Sequence, residues 1–90
     1  MEKQWVVYMV ECKDGSLYTG ITDNLPKRLQ AHRTGKGAKY TKGRAPLILR
    51  YLEDCEDHSQ ALRREIEIKK LTRQEKIALC QTQPKSLEEF

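Results

Sequence analysis

The residue with the clearest potential for chemistry is an acid, Glu65, in a segment whose pattern predicts a helix. On a wheel of about 100° per residue, Glu65 falls near the middle of the apolar face, which is formed by Ala61, Leu62, Ile66 and Ile68. A carboxylate held against a core costs free energy unless a positive charge neutralises it. The partner is either a metal ion at the base of a site or a basic side chain, for which Arg28 is the obvious candidate.

Two tyrosines, Tyr8 and Tyr18, lie in segments whose Val, Tyr and Thr content favours β-strands joined by a turn. The turn is either a two-residue Asp-Gly loop or a three-residue loop with Gly15 in the left-handed conformation. We predict the three-residue loop, because it puts both tyrosines on one face with Tyr8 opposite Gly20. It also collects the apolar side chains on the other face, namely Trp5, Val7, Met9, Leu17 and Ile21.

A phenol can hydrogen-bond a phosphate oxygen and, if its pKa is lowered, can accept a proton from water. The alternative is ordinary packing of strand aromatics, although Gly20 opposite Tyr8 is typical of a close approach by another group. Arg28 and His32 are four residues apart and therefore neighbours on one helix. They could bind phosphate and donate or shuttle a proton, or they could be a surface pair.

The segment 35–46, GKGAKYTKGRAP, is rich in glycine and positive charge and contains no acid. Basic side chains with an aromatic ring among them suit a nucleic-acid backbone with a stacked base or sugar. A solvated basic loop is the alternative. We predict nucleic-acid contacts from Lys36, Lys39, Tyr40, Lys42 and Arg44.

The elements that must position these residues follow the order β-β-α-β-α-α, with strands predicted at 5–12, 17–22 and 47–53. The first helix follows Asn24 or the preceding aspartate and ends before Gly35. The second runs from about 60 to 71, and Thr72 with Glu75 forms a capping box for the third. The chain is therefore predicted to be α+β, with a small three-stranded antiparallel sheet flanked by helices.

Composition limits the possible classes of protein. Ninety residues suffice for one domain, predicted at 1–82 with a C-terminal tail at 83–90. No stretch approaches the ~20 apolar residues of a membrane span, and the N-terminus does not resemble a signal peptide, so we expect a cytoplasmic protein. The net charge of +4 favours a polyanionic partner. The three widely spaced cysteines, Cys12, Cys55 and Cys80, predict free thiols rather than a zinc site.

Taken together, these residues resemble the GIY-YIG nuclease domain over about residues 4–80. The resemblance rests on Val6-Val7-Tyr8, Tyr18-Thr19-Gly20, Arg28 and Glu65. It is closest to small single-domain bacterial members, which carry a similar GKGAKYT segment. Val6 replaces the glycine of the first half-motif, and an asparagine that some members have after the glutamate is missing.

The resemblance implies metal-dependent cleavage of phosphodiester bonds in DNA, with Mg²⁺ or Mn²⁺ bound by Glu65. It implies that Arg28 contacts the scissile phosphate. One of Tyr8 and Tyr18 would activate the attacking water while the other organises the site, and His32 and Tyr40 resemble further site residues of some members. No small-molecule cofactor is implied.

The sequence therefore predicts a weakly sequence-specific endonuclease that acts as a monomer, with a role in DNA repair or recombination. One alternative is a nucleic-acid-binding module of the same fold with little or no cleavage activity. Another is an interaction domain with no role on nucleic acid. Salt-dependent DNA binding separates the last from the first two.

Overall fold

The strands form one antiparallel sheet in the order β2-β1-β3-β4, with three helices packed around it. The computed structural model describes residues 4–34, 47–82 and 88–89. The elements are β1 (Trp5–Glu11), β2 (Leu17–Thr22), α1 (Leu25–Arg33), β3 (Ile48–Cys55), α2 (His58–Lys69), α3 (Arg73–Cys80) and β4 (Glu88–Glu89). The predicted order and three-stranded antiparallel sheet are confirmed. The two-residue strand β4, at the far edge beside β3, was not predicted.

The hairpin between β1 and β2 has the predicted three-residue loop. Gly15 has a φ of +84°, and its N–H donates to the Cys12 carbonyl at 2.9 Å. The Cys12 N–H donates to the Ser16 carbonyl at 2.8 Å, which closes the loop. The register that follows pairs Tyr8 with Gly20 and places Tyr18 opposite Val10, as predicted.

Strand β1 is buried on both of its faces, because helices cover both sides of the sheet. The tyrosine face, defined by Tyr8 and Tyr18, packs against Leu29 of α1. The opposite face, defined by Val7 and Met9, packs against α2 and the end of α3 through Ala61, Ile68, Leu71, Leu79 and Cys80. Because side chains alternate between the two faces of a strand, the phenols pack against α1 and the aliphatic core packs against α2 and α3.

Side chains at the helix starts accept hydrogen bonds from backbone N–H groups that would otherwise lack partners. Asn24 caps α1, and Thr72 with Glu75 forms the predicted capping box of α3. Asp57 caps α2 by accepting from the Gln60 N–H at 2.8 Å. Helix α2 accordingly begins at His58, two residues before the predicted start, and β3 continues to Cys55 rather than ending at 53.

The thiols agree with the sequence analysis, since Cys12, Cys55 and Cys80 are all free. Cys12 and Cys55 are buried and Cys80 is half-buried. In the described ranges, no helix combines the length and apolar character that crossing a bilayer requires.

Candidate active site

Three rings meet on the tyrosine face, where β1, β2 and α1 come together. The ring centroids of Tyr8 and Tyr18 are 6.4 Å apart, and those of Tyr18 and His32 are 5.3 Å apart in an edge-to-face arrangement. Tyr8 Oη lies 2.7 Å from His32 Nε2. Tyr8 is fully buried and His32 is 1% exposed, whereas Tyr18 is only half-buried. The two phenols are therefore together, as predicted, but only Tyr18 is partly open to solvent.

Gly20 makes this packing possible. A Cβ atom at Gly20 would lie 2.6 Å from Tyr8 Oη, 2.8 Å from Tyr8 Cζ and 3.1 Å from Tyr18 Cε1. The Tyr8 ring thus lies directly over the glycine that pairs with it across the hairpin. This contact explains why the strand has a glycine at that position despite its cost to strand stability.

Gly20→Ala is expected to destabilise the fold by about 1–2 kcal/mol. Alanine in a strand normally gains about 0.5–1 kcal/mol over glycine, but overpacking a buried site costs about 1–3 kcal/mol. The Tyr8 ring is fully buried, so relieving the contact requires it or its neighbours to shift within the core. Denaturant unfolding measures the change. In a Tyr8→Phe background, Gly20→Ala should cost less stability, because the atom closest to the new Cβ, Tyr8 Oη, is absent. An equal loss of stability in both backgrounds would contradict the packing described.

Arg28 connects α1 to the ring cluster. Its Nε–H donates to Tyr8 Oη at 3.3 Å. The hydrogen bond with Tyr8 raises the pKa of Arg28, and Tyr18 also contributes to the rise, so both phenols lie close to the guanidinium. Tyr8 Oη therefore has two partners: it accepts from Arg28 Nε–H, and it shares a hydrogen bond with His32 Nε2 in which the imidazole tautomer decides which atom donates.

Burial keeps the Tyr8–His32 pair uncharged. It raises the pKa of Tyr8 to about 12; the hydrogen bond and the charge of Arg28 oppose that rise, and the charges of Tyr18 and Glu65 add to it. Burial also lowers the pKa of His32 to about 4, and the positive charge of Arg28 lowers it further. At neutral pH the phenol is therefore protonated and the imidazole neutral.

The free energy of unfolding should fall by about 3 kcal/mol as the pH drops from 6.5 to 4 on account of His32 alone. The unfolded chain binds a proton at this histidine with a pKa near 6.5, whereas the folded protein excludes it down to about 4. The contribution of neutral His32 to the free energy of unfolding is therefore fully present above about pH 6.5 and is lost as the pH falls towards 4. Denaturant unfolding at several pH values measures the loss. It should be much smaller in His32→Gln and unchanged in the control His58→Gln, where the exposed histidine is replaced; equal losses in both variants would contradict a neutral, buried His32.

Glu65 lies on the buried side of α2, between the fully buried residues Ala61 and Ile68, and its side chain is 17% exposed. Its position near the middle of the packed face is as predicted. The predicted limits of that face are wrong, however, because Leu62 is 39% and Ile66 52% exposed. Burial is the main cause of the raised pKa of Tyr8, and the charge of the Glu65 carboxylate adds the smallest of the contributions.

The two partners considered for Glu65 can now be compared. In the described part of the chain, no ion pair joins Glu65 to Arg28; the carboxylate instead lies 3.4 Å from the ammonium of Lys69, one helical turn further on. The i,i+4 spacing was the signal that could have identified Lys69 as the partner.

A second ion pair holds α2 beside β3. Arg64 Nε–H donates to both carboxylate oxygens of Glu53, at 2.9 and 3.0 Å, and the Tyr51 hydroxyl donates to the same carboxylate. This contact fixes the rotation of α2 about its axis at the residue before Glu65. Sequence reasoning missed it, because Glu53 and Arg64 belong to different elements and have no pattern in common.

The donor set can be compared with the requirements of a metal ion. Within residues 4–34 and 47–82, no three His, Cys, Asp or Glu side chains cluster closely enough to hold one by themselves. Magnesium retains several waters and is commonly bound by one or two carboxylates together with substrate phosphates. Glu65 is a mostly buried carboxylate in ion-pair contact with Lys69, and it fits a site of this open kind.

The predicted nucleic-acid contacts Lys36, Lys39, Tyr40, Lys42 and Arg44 lie outside the described residues. Of the predicted site residues, the structure brings together Tyr8, Tyr18, Arg28 and His32. Glu65 is not in contact with them: it lies between Ala61 and Ile68 on α2, which pack against the opposite face of the sheet, and it acts on Tyr8 only through its charge. These groups provide hydrogen-bond donors for an anion, a carboxylate for a cation and a partly exposed phenol.

Comparison with known proteins gives matches over nearly the whole chain. The family model of the GIY-YIG catalytic domain matches residues 4–78. A UPF0213 protein of Oceanobacillus iheyensis is 49% identical over 83 residues, covering 92% of this chain and 96% of that protein. A UPF0213 protein of Clostridium perfringens is 53% identical over 83 residues, covering 92% of this chain and 87% of that protein.

Two solved structures are similar as well. The solution NMR structure of a UPF0213 protein from Bacillus halodurans matches with a TM-score of 0.59 and 42% identity, covering 89% of this chain and 85% of that one. The solution NMR structure of a protein from E. faecalis matches with a TM-score of 0.63 and 36% identity, covering 97% of this chain and 94% of that one.

Proposed function

Because this chain belongs to the GIY-YIG family, we propose that it is a metal-dependent endonuclease that hydrolyses phosphodiester bonds in DNA. The observation that carries the proposal is the joining of Arg28 to the Tyr8–His32 pair beside Tyr18. Hydrolysis of a phosphodiester requires an oriented water, donors for the developing negative charge and stabilisation of the leaving oxygen. The five side chains together with a divalent cation meet these requirements.

Arg28 is the residue proposed to bind the scissile phosphate. A guanidinium presents a planar set of donors that matches two phosphate oxygens. Nε is engaged by Tyr8, and this contact orients the rest of the group. The pKa of Arg28 is raised, chiefly by its hydrogen bond with Tyr8. The guanidinium therefore stays positively charged at every pH at which duplex DNA is stable.

Glu65 is the proposed ligand of Mg²⁺ or Mn²⁺, with the substrate phosphate completing the site. A divalent cation bound there supplies Lewis-acid stabilisation of the negative charge that develops on the phosphoryl and leaving oxygens. Glu65 itself contributes a fixed carboxylate, since α2 is anchored on both sides of it by Ala61 and Ile68. The neighbouring Arg64–Glu53 pair limits rotation of the helix.

The two tyrosines are proposed to have different roles. Tyr18, which is half-buried, orients the attacking water. Tyr8 is a positioning residue that holds Arg28 and His32. Burial raises the pKa of Tyr8 to about 12 and lowers the pKa of His32 to about 4, so both groups are uncharged at neutral pH. A Tyr8 tyrosinate is therefore not proposed.

Tyr18→Phe should slow cleavage about a hundredfold with less than about 1 kcal/mol lost in stability, since it removes one hydroxyl from a partly exposed ring. Tyr8→Phe should cost about 1–3 kcal/mol in stability, because it leaves buried His32 Nε2 and Arg28 Nε without their partner. Single-turnover cleavage and denaturant unfolding measure the two effects. The assignment is wrong if Tyr8→Phe slows cleavage strongly at unchanged stability while Tyr18→Phe cleaves normally.

The substrate is proposed to be recognised by backbone shape more than by sequence, because the donors named above bind phosphate and carry no base information. Weak sequence specificity of this kind suits a nuclease of DNA repair or recombination. We propose that the protein acts as a monomer.

The experiment that tests the proposal is a cleavage panel of duplex, nicked, branched and single-stranded DNA with matching RNA. Each substrate is incubated with Mg²⁺, with Mn²⁺ and without metal, beside Glu65→Ala. Metal-dependent cleavage of at least one DNA by wild type and not by the variant is expected. Salt-dependent binding with no cleavage of any substrate would instead favour a nucleic-acid-binding module.

A further inference from the structure

The contact between Lys69 and Glu65 is the feature of the site that the proposed reaction does not use. Lys69 Nζ lies 3.4 Å from Glu65 Oε2, and the two residues are four apart on α2. The lysine side chain is 53% exposed, whereas the glutamate side chain is 17% exposed. A half-exposed ammonium thus lies over a mostly buried carboxylate.

Glu65 needs a counter-charge in the metal-free protein, because a mostly buried carboxylate is costly when unpaired. Among the side chains that the structure describes, which do not include Arg33, Lys69 is the only cation in ion-pair contact with it. Arg28, the other candidate, donates to Tyr8 instead, and Arg64 is bound to Glu53. The ammonium of Lys69 therefore takes the role that a metal ion would take when bound.

We propose that Lys69 holds the Glu65 carboxylate in the metal-free protein and is displaced when a divalent cation binds. This inference rests on the proposed metal site. Both cations require the same carboxylate, so the lysine weakens metal binding and sets the concentration at which the site fills. Its exposed side chain can move aside into solvent, at the small cost typical of an i,i+4 surface pair.

The test measures Mn²⁺ binding in the absence of nucleic acid, by paramagnetic broadening of amide signals in ¹⁵N-labelled protein. Lys69→Met removes the charge and keeps an unbranched side chain. It should lower the Mn²⁺ dissociation constant at Glu65 about threefold to tenfold, through loss of the competing ion pair and of charge repulsion. Lys69→Arg, which retains the competitor, should stay near the wild-type value.

Lys70→Met is the matched control, because Lys70 is exposed, carries the same charge and immediately follows Lys69. It should change the dissociation constant by less than about twofold. Glu65→Gln identifies the broadening that belongs to Glu65, as distinct from binding by the acids that line a groove between β3 and α2, namely Glu53, Asp54, Glu56, Asp57 and Glu67. The amide spectra of all variants without Mn²⁺ report whether each is folded.

The outcomes separate this inference from the proposed function. If Glu65→Gln removes the broadening but Lys69→Met and Lys70→Met behave alike, the metal site stands and the role of Lys69 is wrong. If Glu65→Gln leaves the broadening unchanged, Glu65 does not bind the metal, and both proposals fail. A lower Mn²⁺ dissociation constant in Lys69→Met alone, with Lys69→Arg near wild type, supports displacement of Lys69 from Glu65 by the metal ion.

Discussion

Glu65→Gln should lower the rate of Mg²⁺-dependent DNA cleavage at least about a thousandfold, which corresponds to about 4 kcal/mol of transition-state stabilisation. Glutamine has nearly the same shape as glutamate, so the helix packing at Ala61 and Ile68 should remain. The variant loses the negative charge that a divalent cation requires. Lys69, its ion-pair partner, is 53% exposed and tolerates the loss of that pair. Single-turnover cleavage of the best substrate in the panel measures the effect.

The matched control for this prediction is Glu67→Gln. Glu67 lies two residues further along the same helix, is exposed and undergoes the same change of charge. Its cleavage rate should stay within about twofold of wild type, since surface charges act weakly at a distance. Equal rates in Glu65→Gln and wild type would remove Glu65 from the site, whereas equal losses in both variants would indicate a general effect of net charge.

Arg28→Ala should slow cleavage about a hundredfold to a thousandfold while weakening DNA binding less than about fivefold. Many basic side chains share the binding of DNA as a whole, but the guanidinium beside Tyr8 and Tyr18 is proposed to stabilise charge in the transition state. Arg28→Lys should restore only part of the rate, because an ammonium keeps the charge and loses the planar donors. Cleavage rate and dissociation constant are measured at the same salt concentration.

Lys27→Ala provides the control for Arg28, since Lys27 is its exposed neighbour on α1 and carries the same charge. It should leave the cleavage rate near wild type. If Arg28→Ala weakens binding as much as it slows cleavage, the interaction is formed equally in the bound substrate and in the transition state, and Arg28 only positions DNA.

The hairpin was predictable to the level of individual cross-strand pairs. A single glycine at the left-handed position, together with the alternation of apolar residues, selected one of two registers, and the pairing of Tyr8 with Gly20 followed. Register is strongly specified where the two faces of a strand carry different kinds of side chain, because a slip of one residue exchanges the faces. The shared face of the two tyrosines is a consequence of that rule.

The rotation of α2 was predictable only in part. A helical wheel gives the apolar stripe, and the stripe correctly included Ala61 and Ile68. It cannot tell which part of a wide stripe contacts the sheet, since that depends on tertiary contacts such as Arg64 with Glu53. Leu62 and Ile66 therefore lie further from the core than their hydrophobicity indicated.

The separate roles proposed for the tyrosines could not be obtained from the sequence. Both tyrosines lie on strands and on the same face of the sheet, and they differ in how far each is buried from solvent. Tyr8, on the central strand β1, is fully buried and bonded to His32, whereas Tyr18, on the edge strand β2, is half-buried. Burial of this kind is set by how α1 lies over the sheet, which no local pattern encodes.

The most direct test of the central claim, that this cluster binds the phosphodiester to be cut, follows the side-chain Nε–Hε signal of Arg28 by NMR during a DNA titration. The Glu65→Gln protein is used so that the DNA remains intact, and Arg28→Lys identifies the signal. A saturable shift of this signal is expected as DNA binds, with the same dissociation constant, and high salt should reverse it. DNA that binds and saturates while the Arg28 signal stays in place would contradict the claim.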